Sequence, residues 1–72
     1  TKMKKETLKS INVVAMESKE SIELLGYDRK YEWHVWGYLL ALFDNDIIDY
    51  KEYRKIKKHY RKYFNELKAS RN

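Results

Sequence analysis

Cysteine is absent from this sequence, and so are proline and any apolar run long enough to cross a membrane. Without cysteine there is no disulfide to staple a small core, no thiol nucleophile and no thiolate metal site, and the absence fits a reducing cytoplasm. Without proline, and with only two glycines, the chain has few breakers and no glycine-rich loop to cradle a phosphate group. No segment approaches the eighteen apolar residues of a membrane span, and the charged start lacks the apolar stretch of a signal peptide. The expectation is a soluble, cytoplasmic protein with no membrane partner.

What is present is helix-forming and aromatic. Hydrophobic residues make up 43% of the 72 positions, which is too many for a disordered chain, and eleven aromatics (seven Tyr, two Trp, two Phe) supply a bulky core. A chain this short buries only about 60% of the surface its unfolded form exposes, so self-association into a homodimer is one way to gain more. The sequence predicts an all-α fold, a small three-helix domain spanning residues 1–72, with helices over about 7–25, 29–43 and 50–68 and a frayed basic tip at 1–6.

The last helix is the most legible. Asp49 lies three residues before Glu52, the spacing at which each side chain accepts a main-chain N–H that the first turn leaves unpaired, so a helix starts at Tyr50. Ile48 and Tyr53 flank that cap at the positions of a hydrophobic staple. At 3.6 residues per turn, Tyr53, Ile56, Tyr60, Tyr63, Phe64 and Leu67 share one stripe.

The first helix is less regular. Leu8, Ile11, Val14, Ala15, Ile22 and Leu25 share a face with Ser18, while Val13, Met16 and Leu24 form a second apolar face suited to both other helices or to a dimer partner. The β-branched residues Ile11, Val13 and Val14 would also suit a strand, but no other strand-like run could pair with one. Gly26 stops this helix. Asp28 caps the next, in which Tyr31, Trp33, Val35, Trp36, Tyr38, Leu39, Leu40, Leu42 and Phe43 surround most of the circumference. That helix is expected to be the buried centre, with Gly37 and Ala41 leaving a shallow groove for the close approach of a neighbouring helix or, as the alternative, of a partner's side chain.

Chemistry has little to stand on. Asp44, Asn45 and Asp46 open like a calcium loop, but Asp49 stands where glycine is required and Lys55 where a bidentate Glu belongs, so they read as turn and cap residues. His34 and His59 have no Cys or His companion at ligand spacing, and Ser10, Ser18, Ser21 and Ser70 have no histidine nearby in sequence. Glu52 and Glu66 read as a cap and a charge neighbour of Lys62 rather than as an acid and base pair. No catalytic residue, metal or cofactor is expected, and the protein is not expected to be an enzyme.

Charge carries the functional signal. Residues 50–72 hold nine Lys or Arg against two acids, a net +7, whereas residues 1–49 hold seven against nine, a net −2. Lys51, Arg54, Lys55, Lys57, Lys58, Arg61, Lys62 and Lys68 occupy the arc opposite and beside the apolar stripe. A merely solvated helix would intersperse the signs, with Glu four residues before Lys; here Glu52, His59 and Glu66 fall together on a narrow side. From Lys51 to Lys62 the cations extend along about 17 Å of helix, enough to track several phosphates, with Tyr50 and Asn65 as additional contacts.

A central aromatic helix, a short turn and a long basic helix resemble in outline the helix-turn-helix class, whose last helix enters the major groove of DNA. The reading is a small non-enzymatic regulator or accessory protein that binds nucleic acid (DNA or RNA) or a nucleoprotein complex through this helix. The alternative is an inhibitor or adaptor docking on an acidic protein surface. Abundant Lys, Ile, Asn and Tyr with few Ala, Gly and Pro are what AT-rich coding produces, which points to a low-GC bacterium or one of its phages or mobile elements as the source.

Overall fold

A computed structural model of the chain describes residues 4–71 and contains three helices: α1 (Lys5–Leu25), α2 (Arg29–Asp44) and α3 (Tyr50–Arg71). Half of the basic tip expected to fray, residues 1–3, lies outside the described residues; Lys4 is the N-cap of α1, and Lys5 and Glu6 already belong to the helix.

Local chemistry sets the boundaries. Gly26 closes α1 with φ 89° and ψ 166°, an extended left-handed conformation that only glycine takes without strain, and its N–H donates to the Ile22 carbonyl at 2.9 Å. The side chain of Asp28 accepts from the Lys30 N–H at 2.9 Å. The α2–α3 turn passes through Asp46 at φ 58°, a conformation Asp tolerates better than most residues, while the Asn45 amide donates to the Ala41 carbonyl at 2.7 Å. At the start of α3 the reciprocal capping box forms: the Glu52 N–H donates to Asp49 at 2.8 Å, and the Asp49 N–H to Glu52 at 2.9 Å.

One core cluster joins the three helices. Ile11, Ala15 and Ile22 of α1, Val35, Leu39 and Leu42 of α2, Ile48 of the turn, and Ile56, Tyr60 and Phe64 of α3 are buried in it. Ser18 is the buried polar residue among the described residues, and its hydroxyl donates to the Tyr31 carbonyl at 2.8 Å. The α1–α2 seam runs from Ser10, hydrogen-bonded to Tyr38, to Ser18 at Tyr31, so the two helices are antiparallel. The α2–α3 seam runs from Phe43 against Tyr53, through Trp36 edge-on to Phe64 at 5.9 Å, to Tyr27 beneath Lys68. α3 is likewise antiparallel to α2.

The all-α, three-helix architecture is the one the sequence predicts. The molecule measures 39 × 18 × 17 Å. α3, about 33 Å long at 1.5 Å per residue, runs along the long dimension. Aromatic contacts at Phe43–Tyr53 and Trp36–Phe64 hold α2 and α3 together as an antiparallel pair.

Two expectations about burial are corrected. α2 is not buried all round: Trp33 is 63% exposed and Leu40 46%. Two neighbouring helices can cover only two sides of a third, and the remaining arc meets solvent. Gly37 and Ala41 lie on that open arc, and nothing stands within 4 Å of where a Cβ on Gly37 would be, so no helix uses the close approach they offer. On α1, Val13, Met16 and Leu24 are exposed, which means the second apolar face contacts neither partner helix, and Leu8 and Leu25, placed on the core face by periodicity, are also largely exposed.

Replacing Phe64 with Ala is expected to cost about 3–5 kcal/mol and to leave little cooperative unfolding in this small domain. Replacing Asp49 with Ala is expected to cost about 1 kcal/mol, lowering the melting temperature by about 4–8 °C with the helical circular dichroism retained. Urea and thermal melts of the two variants check both, and a Phe64→Ala protein as stable as the parent would refute the assignment of the core.

Candidate functional site

Burying the Ile56–Tyr60–Phe64 side of α3 turns the opposite side outward. Lys51, Arg54, Lys55, Lys58, Arg61 and Lys62 are all exposed there. Lys51, Arg54, Lys55, Lys57, Lys58 and Arg61 line one shallow depression together with Tyr50 and Tyr53. Lys58, Arg61 and Lys62 continue into a second with Asn65, Glu66 and Ala69. The two share Lys58 and Arg61, so the cations form one continuous strip from the capped start of α3 toward its end.

Two of the cations named from the sequence are engaged differently. Lys57 is half-buried at the border of the strip; its ammonium lies 5.5 Å from the Tyr53 ring and 5.9 Å from the Trp36 ring, and it donates to the Tyr53 hydroxyl at 3.4 Å. Lys68 sits 5.2 Å from the Tyr27 ring, at the far end of the α2–α3 seam. Both lie on the α2-facing edge and brace the hairpin by cation–π contact.

An aromatic assembly at the start of the strip was not anticipated as a unit. Phe43 stacks on Tyr53 with ring centres 5.4 Å apart, Tyr53 stacks on Tyr50 at 6.5 Å, and Phe43 meets Tyr50 at 5.9 Å. The Arg54 guanidinium lies 5.8 Å from the centre of the Tyr50 ring. The pairs Tyr50–Arg54 and Tyr53–Lys57 are spaced i, i+4, the separation at which helical side chains meet, and that spacing was the signal available in the sequence.

The structure brings His34 closer to serines than sequence distance suggests. Glu17, Ser18, Ser21, Lys30, Tyr31 and His34 line a depression between α1 and α2. The geometry is not that of a nucleophile and its base: Ser18 donates to the Tyr31 carbonyl and Ser21 to the Glu17 carbonyl at 3.1 Å, which commits both hydroxyl protons to the main chain. Among the described residues no group of three or more His, Cys, Asp or Glu gathers to hold a metal, and no helix is long and apolar enough to cross a membrane.

Two tyrosines have raised pKa values. Tyr27 donates to the Glu32 carboxylate, and this hydrogen bond, with burial and the nearby negative charge, lifts its pKa from 10.0 to about 12. Burial, with a smaller contribution from Tyr63, raises that of Tyr60, whose hydroxyl donates to Asn12 and ties α3 to α1.

What the fold and the strip define is a class, a small all-α three-helix domain with a cationic face on its last helix. No family model, curated protein or solved structure matches the chain.

Both shifted phenols are held in their neutral form by the fold, so their contribution to stability is complete below about pH 10 and is lost as pH rises through the folded pKa. The double variant Tyr27→Phe, Tyr60→Phe is expected to be less stable than the parent by about 1–3 kcal/mol at pH 8. It is also expected to lose less further stability between pH 9 and 12, as read from urea midpoints. An unchanged alkaline slope would contradict the assignment.

Proposed function

We propose that this protein is a small non-enzymatic nucleic-acid-binding or nucleoprotein-associated regulator that uses the outward strip of α3. The observation that carries the reading is segregation: six exposed cations, Lys51, Arg54, Lys55, Lys58, Arg61 and Lys62, follow one side of a helix whose other side is core. Cations concentrated along one element create a local field that a polyanion meets much more strongly than the same charge dispersed over the surface. Contact with phosphates would dominate and readout of base edges would be slight.

A second reading, docking on a protein with an acidic surface, draws support from the open arc of α2. Trp33 and Leu40 are exposed there on either side of Gly37, and large exposed apolar side chains beside a glycine are suited to a protein interface. Binding partners recovered from a host lysate with and without nuclease treatment separate the two readings.

Binding to nucleic acid through the strip is expected to weaken on the order of 10²-fold between 50 and 200 mM salt, as release of counterions from about five phosphates requires. The quadruple variant Lys55→Glu, Lys58→Glu, Arg61→Glu, Lys62→Glu is expected to abolish it, whereas Lys68→Ala, on the hairpin edge, leaves it within about threefold of the parent. Absence of binding to duplex DNA, single-stranded DNA and RNA at low salt would overturn the proposal.

A further inference from the structure

We infer that the capped start of α3 is a base-stacking site for single-stranded nucleic acid, with Tyr50 as the platform and Arg54 as the group that exchanges the ring for a phosphate. The inference rests on the nucleic-acid reading of the strip and narrows it to one form of the ligand.

Tyr50 is 59% exposed, although the core cluster has Phe43 and Tyr53 packed against it only a ring away. Its position is fixed from both sides. The capping box between Asp49 and Glu52 holds the backbone of the first turn, and the stacked Tyr53 and Phe43 rings support the Tyr50 ring from within. A ring held in place and open to solvent loses little conformational freedom when a flat ligand covers it.

The charged groups around it match a nucleotide in arrangement. Lys51, Arg54, Lys55 and Lys58 line the same depression as Tyr50, so a base on the ring would carry its own phosphate and the next into reach of cations. In the free protein the Arg54 guanidinium lies near the Tyr50 ring, at 5.8 Å from its centre. Guanidinium groups stack on aromatic faces and also grip phosphates, which allows Arg54 to move from the first role to the second as a base arrives. Bases in a duplex have their faces covered by their neighbours, and only an unpaired strand can offer one to Tyr50. Stacking of this kind accepts any base, which suits a strip that has Asn65 four turns away as its amide side chain.

Fluorescence anisotropy with labelled oligo(dT), oligo(U) and a duplex of equal length, at two salt concentrations, tests the inference. The parent is expected to prefer the single strands to the duplex. Tyr50→Ala is expected to weaken single-strand binding about tenfold with the salt slope unchanged, while Tyr50→Phe, which keeps the ring, binds like the parent. Comparison of oligo(dT) with oligo(U) assigns the site to DNA or RNA. Tyr50 is exposed, so a thermal melt is expected to show Tyr50→Ala folded. Salt-sensitive binding that Tyr50→Ala leaves intact, or a preference for duplex, overturns this inference and leaves the wider reading standing. Absence of binding to all three probes at low salt overturns both.

Discussion

Phe64, wholly shielded from solvent and met edge-on by Trp36, fixes the rotation of α3, and the properties of the opposite side follow from that one constraint. With Phe64, Tyr60 and Ile56 facing inward, Lys51, Lys55, Lys58 and Lys62 have no direction left but outward. In a chain this short the same helix must supply both core and surface, because little other apolar material is available. The backbone that carries the cationic strip is therefore anchored by the core beneath it. The attachment points of the charges on such an element keep a fixed spacing, which the same charges on a loop would lack.

The hairpin formed by α2 and α3 determines how that strip is presented. Two aromatic contacts spaced along the seam, Phe43 with Tyr53 and Trp36 with Phe64, and the contact of Lys68 with Tyr27 just before α2 set the helices antiparallel. What the hairpin offers is a long, positively charged edge with an aromatic step at one end, where Tyr50 stands clear of the stack behind it. Lys57 and Lys68, like Arg54, hold their charged groups over aromatic rings in the free protein.

Features governed by local chemistry were legible in the sequence. The Asp49–Glu52 cap, the Gly26 stop, the Asp28 cap and the apolar stripe of α3 each depend on residues within a turn or two, and all four appear at the expected positions. What was not legible depends on how many neighbours a helix has. The hydrophobicity of Trp33, Leu40, Val13 and Met16 is written in the sequence, yet only the assembled structure reveals that three helices leave these side chains uncovered. The same holds for the pairing of Asn12 with Tyr60 and of Ser10 with Tyr38, which join residues 48 and 28 positions apart. The roles of Lys57 and Arg54 fall between these cases: the i, i+4 spacing to an aromatic is local, but which ring faces solvent depends on the seam with α2.

The central claim is that the ligand lies along the outward strip of α3, and residue-resolved NMR of the isotopically labelled protein, titrated with a short oligonucleotide at low salt, tests it most directly. Shifts are expected at Tyr50, Lys51, Arg54, Lys55, Lys58, Arg61 and Lys62, with the exposed residues Val13, Met16, Leu24 and Trp33 unmoved. Shifts centred on the open faces of α1 and α2, or no shifts at all, would contradict the account.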